Sequence, residues 1–100
     1  MVTVGLLATL NAKSGKEDAL ASFLDSALPL AQAEDDTVAW FAIKIDSNTY
    51  GIFDVFPGPE GRQAHLDGPI AAALMDQADD LLSSPPDIKP IDVLAAKLPS

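Results

Sequence analysis

Residues 37–56 contain two runs that are rich in β-branched and aromatic side chains, at 37–45 and 49–56. Asp46, Ser47 and Asn48 separate the runs, and these residue types favour turns. The pattern predicts a β-hairpin that lies in the middle of the chain.

Both faces of this hairpin are predicted to be apolar. A tight turn at Ser47 and Asn48 places Phe41, Ile43, Tyr50, Ile52 and Asp54 on one face and Trp40, Ala42, Phe53 and Val55 on the other. Helices can cover only one face, and an uncovered face of an antiparallel sheet is normally polar. A second copy of the chain is therefore expected to pack on the other face, and a long covering loop is the alternative.

The first third of the chain predicts a strand followed by a helix. Apolar residues alternate over residues 2–11, which is typical of a strand. Apolar residues then recur at spacings of three and four over 15–33, which predicts a helix. Ser14 and Glu17 have the spacing of a capping box, and Pro29 is expected to kink this helix or to split off its last turn.

The last third predicts two helices and a final strand. A short helix is expected over 60–66 and a longer one over 70–82, the latter opened by the segment Asp67-Gly68-Pro69. Residues 88–97 predict an edge strand, because Pro90 cannot donate a hydrogen bond in a sheet. The order β-α-β-β-α-β predicts an α+β, ferredoxin-like domain over 1–100, with a four-stranded antiparallel sheet and helices on one face.

Charge and rare residues exclude several classes of function. Six basic and fifteen acidic residues give a net charge of −9, so nucleic acid and anionic membranes are not expected partners. The chain has no cysteine and one histidine, so neither a disulfide nor a transition-metal site is expected. No apolar stretch reaches the roughly 18 to 20 residues that span a bilayer, and a cytoplasmic protein is the expectation.

Three segments together resemble a known family. They are residues 10–17, where a strand ends in the helix entry AKSGKE; residues 53–57, FDVFP; and residues 61–69, GRQAHLDGP. In order and spacing they are similar to the antibiotic biosynthesis monooxygenase superfamily, whose members are small dimeric α+β barrels and include quinol monooxygenases. The likeness covers about residues 4 to 98.

The resemblance implies a homodimer that oxidises a quinol or an aromatic polyketide-type phenol with O₂, without metal, flavin or haem. Asp54 stands where the family usually has glutamate, and the Asn and Trp positions do not match the haem-degrading relatives, so haem degradation is the less expected branch. The alternative is a non-catalytic homodimer of the same fold that binds a small ligand or only assembles.

His65, Tyr50 and Asp54 are the predicted catalytic residues. His65 is the natural acceptor for a phenolic proton, because an imidazole titrates near neutral pH, although it could instead satisfy a backbone group at the turn between two helices. Asp54 is predicted to orient His65, or else to lie solvated at the sheet rim. Tyr50 is expected either to point its hydroxyl at the cavity or to cover the end of the hairpin.

Trp40, Arg62, Phe41 and Phe53 are the predicted substrate-binding residues. Trp40 could form an aromatic wall for a planar substrate, but an aromatic residue on an alternating strand is more often part of the core. Arg62 could neutralise a phenolate or occupy a solvated helix position. No cofactor or metal ligand is predicted, and the expected partners are a second copy of the chain and a small aromatic molecule.

Overall fold

In the computed structural model, which describes residues 1–99, the chain forms one four-stranded sheet and four helices. The elements are β1 (Val4–Asn11), α1 (Glu17–Ser26), α2 (Leu28–Gln32), β2 (Ala39–Lys44), β3 (Thr49–Phe56), α3 (Pro59–Leu66), α4 (Pro69–Leu81) and β4 (Asp87–Asp92). The strand order is β2-β3-β1-β4, and every neighbouring pair is antiparallel. The predicted ferredoxin-like fold is confirmed, and the sheet of the single chain is open rather than closed into a barrel.

The predicted helix over 15–33 is two helices. A break at Ala27 separates α1 from α2, and Pro29 lies in the first turn of α2, where its missing N–H costs nothing. The capping box is wrong: α1 begins at Glu17 after Lys16, and no side chain caps its N-terminus. Gly15 instead has a φ of 83°, a left-handed conformation that favours glycine, and it turns the chain between β1 and α1.

The final strand is shorter than predicted. β4 covers Asp87–Asp92, and residues 93–97 of the predicted strand lie outside it. β4 pairs with β1 alone and is an edge strand, as Pro90 indicated. Pro90 lies opposite Leu6, where an edge position tolerates the missing donor.

The register of the β2–β3 hairpin differs from the expectation by one residue. Ile45 and Asp46 both donate backbone N–H groups to the Thr49 carbonyl, so the loop is longer than a two-residue turn. The Asp46 carboxylate accepts hydrogen bonds from the backbone N–H groups of Asn48 and Thr49 and closes this loop. Trp40 therefore lies opposite Asp54, on the same face, and not on the opposite face as predicted.

The main core lies between the helices and one face of the sheet. Ten buried residues form its largest cluster, which are Ala8, Leu10, Ala12, Leu20, Leu24, Tyr50, Ile52, Leu74, Leu81 and Leu82. The predicted buried stripe of α4 is present: Ile70, Leu74 and Leu81 are buried and Ala78 is half-buried. Residues of β1 and β3 with even numbers, including Asp54, therefore face the helices.

The opposite face of the sheet is apolar and open in the single chain. Phe41 is 53% exposed, Leu7 and Ile43 are also exposed, and the rings of Phe41 and Phe53 stack with centroids 6.4 Å apart. Residues 1–99 leave Leu7, Phe41 and Ile43 uncovered, so the alternative covering loop is not found over this part of the face. Among the same residues, no helix is long and apolar enough to cross a membrane.

Candidate functional site

A buried contact between a carboxylate and an imidazole joins the sheet to the helices. Asp54 of β3 is 1% exposed and His65, in the last turn of α3, is 7% exposed. The Nε2 of His65 lies 3.0 Å from Oδ2 of Asp54. The Phe56 ring, whose centroid is 5.5 Å from that of the imidazole, packs against it and helps to exclude water. The structure thus brings together two of the three predicted catalytic residues.

A second carboxylate holds the other edge of the imidazole. The Nδ1 of His65 lies 2.6 Å from Oε1 of Glu34, in the segment that follows α2. Thr37 donates its hydroxyl to the same oxygen, also at 2.6 Å. The imidazole therefore lies between two carboxylates, with a partner at each ring nitrogen.

Sequence reasoning missed Glu34. It begins the run Glu34-Asp35-Asp36, which has the composition of a solvated turn, and it lies 31 residues from His65. One signal could have found it: if His65 is buried, it needs a partner at each ring nitrogen, and Asp54 can satisfy only one of them.

The environment of His65 favours its charged form. Burial lowers the pKa of the imidazole, but hydrogen bonds to Asp54 and Glu34, together with their negative charges, raise it by more. The net result is a pKa above the ordinary value of 6.5. An imidazolium donates from both nitrogens, which matches an acceptor oxygen at each of them.

Three buried polar atoms near this cluster have no hydrogen-bond partner among residues 1–99. They are Oδ1 of Asp54, Oε2 of Glu34 and Nε1 of Trp40. Buried polar groups are nearly always paired, so an unpaired carboxylate oxygen marks either a cost in stability or a place where a ligand binds. The other oxygen of Asp54 is already held by His65, which leaves Oδ1 available as an acceptor.

An apolar cavity of about 30 Å³ adjoins the ion pair. Its lining comes from the helix-facing side of the sheet and from α3 and α4, namely Leu6, Ala8, Ile52, Asp54, His65, Leu66, Ile70, Ala71, Leu74 and Ile88. Asp54 and His65 are the titratable groups of this lining. The volume admits about one water-sized molecule, well below the roughly 150 Å³ of a cavity that binds benzene.

A second, more polar cavity of about 160 Å³ lies on the other side of His65. Its lining includes the run Glu34, Asp35 and Asp36 with Thr37, and Gly61, Ala64 and His65 of α3. His65 is thus shared by two cavities, of which one is apolar and one is acidic.

Tyr50 and Trp40 share the helix-facing side of the sheet with Asp54 but do not line the apolar cavity. Tyr50 is 4% exposed and belongs to the main core, with the Lys44 ammonium 5.8 Å from the centre of its ring. Trp40 is half-buried and packs against the core near Ile70.

The remaining predicted binding residues also lie away from this cavity. Phe41 and Phe53 stack on the opposite face of the sheet. Arg62 donates from Nη1 to the backbone carbonyls of Gly5 and Ile91, at 3.4 and 3.3 Å, and so ties α3 to β1 and to β4.

The carboxylates are not arranged as metal ligands. Asp54 and Glu34 approach opposite edges of the same ring, so their oxygens do not converge on one point. Over residues 1–99, no group of three or more His, Cys, Asp or Glu side chains is placed to hold a metal ion.

The chain is similar to several proteins of known structure. It is 58% identical to the NE2512 protein of unknown function from Nitrosomonas europaea, with all of this chain and 97% of that chain covered and a TM-score of 0.98. No protein-family model and no curated protein matches the chain.

More distant structures share the fold. A protein from Nitrosomonas europaea described as a "putative antibiotic biosynthesis monooxygenase" has a TM-score of 0.81 at 12% identity, with 92% of this chain and 90% of that chain covered. A protein from Caulobacter crescentus with the same description has a TM-score of 0.79 at 15% identity, over 94% and 92% of the two chains. The family resemblance seen in the sequence is confirmed at the level of the fold.

Proposed function

We propose that this chain, which belongs to the same family as the NE2512 protein of Nitrosomonas europaea, is a monooxygenase that oxidises a quinol or a related phenol with O₂ and no cofactor. In this reaction a phenol and O₂ give a quinone and water, and a quinol and O₂ give a hydroxyquinone and water. In both cases one oxygen atom enters the ring and the other leaves as water. The protein has to remove the phenolic proton and keep the electron-rich anion away from bulk water.

The observation that carries this proposal is the unpaired Oδ1 of Asp54 beside an apolar cavity. Both nitrogens of His65 already have partners, so the ring has no free acceptor for a substrate proton. Asp54 is therefore the base that receives the phenolic proton on Oδ1, and the imidazolium of His65 holds its Oδ2. This reverses the roles expected from the sequence, where His65 was the base and Asp54 its partner.

The size of the cavity restricts how a substrate binds. About 30 Å³ admits a hydroxyl group or a molecule such as O₂, but not a whole aromatic ring. The substrate hydroxyl enters the cavity while the ring lies at the mouth beside Ile88, which is 36% exposed, and beside half-buried Leu66 and Ala71. These apolar side chains suit an aromatic ring without charged substituents.

The proposed active form is a homodimer. The apolar sheet face with Phe41 and Phe53 is exposed in the single chain, and a second copy packed sheet to sheet buries both copies of this face. The variant Phe41→Asp puts a charge into this interface. We expect light scattering to give twice 10.4 kDa for the parent and 10.4 kDa for the variant. A monomeric parent at micromolar concentration contradicts the dimer.

The reaction is tested with a panel of hydroquinones and phenols under air, by measuring O₂ uptake and quinone absorbance. For a substrate that the parent oxidises, Asp54→Asn is expected to lower the rate by about 10² to 10⁴, the usual contribution of a general base. Asp76→Asn, on the exposed side of α4 and away from both the cavity and the sheet face, is the matched control and should keep full activity. A fully active Asp54→Asn variant contradicts the assignment of the base, and saturable phenol binding without turnover favours the non-catalytic alternative.

A further inference from the structure

Glu34 is a charged residue in contact with the site that the proposed reaction does not use. Its side chain is 18% exposed, whereas that of Asp54 on the other edge of the ring is 1% exposed. Glu34 lines the acidic cavity and Asp54 lines the apolar one. The two carboxylates of one imidazole therefore have different access to water.

This asymmetry determines where the imidazolium can lose a proton. If Nε2 loses its proton, Oδ2 of Asp54 faces a nitrogen lone pair at 3.0 Å, which leaves no room for a water between the two atoms and is costly. If Nδ1 loses its proton, the proton goes to the Glu34 carboxylate, whose side chain is 18% exposed and lines a cavity of its own, so water can take the proton up from there. The neutral ring that results keeps its proton on Nε2 and remains a donor to Oδ2 of Asp54.

We infer that Glu34 is a positioning residue for His65, and that His65 exchanges its proton with solvent at Nδ1, through the Glu34 carboxylate and the acidic cavity. In this step the proton leaves Nδ1 for Oε1 of Glu34 and then passes to water, and no other bond changes. The orientation of the ring and its contact with Asp54 stay the same in both charge states. The protonation of the site thus follows the pH of the solvent without opening the apolar cavity.

The packing around Glu34 supports a fixed geometry. Thr37 donates to the oxygen that faces Nδ1, so this oxygen is held on two sides. Gly61 of α3 lies against the same loop, because a Cβ at position 61 would come within 2.8 Å of Cβ of Asp36. The absence of a side chain at Gly61 lets the loop approach α3 closely enough for Glu34 to reach the imidazole.

Among residues 1–99, the other charged groups near His65 form no ion pair with its ring. Asp35 and Asp36 line the acidic cavity, and Arg62 on α3 is directed to backbone carbonyls of β1 and β4. Helix α4 and strand β1 contribute apolar residues to the lining of the apolar cavity. Asp54 and Glu34 are therefore the charges in direct contact with the ring.

The significance of Glu34 for turnover rests on the proposed function, but its effect on His65 can be measured without any substrate. His65 is the one histidine of the chain, so the NMR signals of its imidazole need no assignment. The first measurement is the ¹⁵N spectrum of the unmodified protein as a function of pH. We expect both nitrogens to be protonated at low pH, and the neutral form to carry its proton on Nε2. A neutral form protonated on Nδ1, or a ring that does not titrate before the protein unfolds in alkali, overturns the inference.

The second measurement is the same titration in Glu34→Gln. An opposite charge in contact typically raises a pKa by 1 to 3 units, so the proton affinity of the ring should fall at least about tenfold. Asp35→Asn removes the same charge from the same cavity without touching the ring, and should leave the titration nearly unchanged. Equal effects of the two variants would show that the cavity acts only through its overall charge, and would overturn the specific role of Glu34.

Failure of this inference and failure of the proposed function give different results. If the titration behaves as expected and no phenol is oxidised, the proton path stands and the monooxygenase does not. If a phenol is oxidised but Glu34→Gln leaves both the imidazole titration and the pH profile of kcat unchanged, the reaction stands and the role of Glu34 does not.

Discussion

Asp54→Ala removes one of the two carboxylates that hold the buried imidazolium. The loss of one partner from a buried ion pair typically costs about 3 to 5 kcal/mol. Two features of the structure favour the lower end of this range. Glu34 remains in contact with the ring, and Oδ1 of Asp54 has no partner within residues 1–99, so the variant also relieves a desolvation cost. We therefore expect the free energy of unfolding to fall by about 3 kcal/mol, or Tm by about 12 °C or more.

The loss should depend on pH in a defined direction. The folded state raises the pKa of His65, so it binds this proton more tightly than the unfolded chain does. The stabilisation is fully present below the ordinary value of 6.5, and it is lost as the pH rises through the folded value. Because Asp54 is one cause of the raised pKa, the difference between parent and variant should be largest in mildly acidic solution and should shrink in alkaline solution.

Urea unfolding, followed by the fluorescence of the single Trp40, measures this difference. The protein concentration is kept constant, because any dimer makes the apparent stability depend on concentration. Asp54→Asn is the matched control: it keeps an oxygen that accepts from Nε2 and should lose less stability than Asp54→Ala. A loss below about 1 kcal/mol, or a loss that is the same at every pH, would refute the assignment of a buried imidazolium between two carboxylates.

Three further predictions concern the surroundings of the site. Gly61→Ala should push the loop at Asp36 away from α3 and lower both Tm and the pKa of His65, as measured by differential scanning calorimetry and NMR titration. Gly58→Ala is the control and should change neither much, because its Cβ meets only the flexible carboxylate of Glu60. Ala71→Leu should narrow the mouth of the apolar cavity and weaken phenol binding in a calorimetric titration without lowering Tm, and unchanged affinity would place the ligand elsewhere. Asp46→Ala should lower Tm slightly at neutral pH and not in acid. Hydrogen bonds from Asn48 and Thr49 lower the pKa of Asp46 in the folded protein, and the stabilisation that they give is lost as the pH falls through this lowered pKa.

The elements and their order could be predicted because they depend on short-range patterns. Alternation predicted β1, and β-branched and aromatic residues next to a turn predicted β3. A spacing of three and four predicted the buried stripe of α4 at Ile70, Leu74 and Leu81. Pro29 marked the place where the first helical segment divides, and Pro90 indicated an edge strand. In each case one residue type changes the local backbone in a way that tertiary contacts do not reverse.

The face of β2 could not be predicted, because it depends on the length of one loop. The strand has apolar or aromatic residues on both faces, so hydrophobicity does not choose between two registers that differ by one residue. The choice is made by the Asp46 carboxylate, which accepts two backbone hydrogen bonds and lengthens the loop. That slip moved Trp40 to the face of Asp54 and Phe41 to the opposite face, and it determines which aromatic residues can approach the site.

Only part of the candidate site could be predicted from the sequence. His65 and Asp54 were found because each is unusual where it stands: one is a single histidine and the other a carboxylate on an apolar strand. Glu34 has no such distinction, since it lies among acidic neighbours that are solvated in most proteins. Its role follows from hydrogen-bond accounting, because a buried imidazole needs a partner at each nitrogen and its second partner must come from whichever segment packs there. Gly61 sets that packing, so the identity of the second carboxylate depends on a close contact between a loop and a helix rather than on any motif.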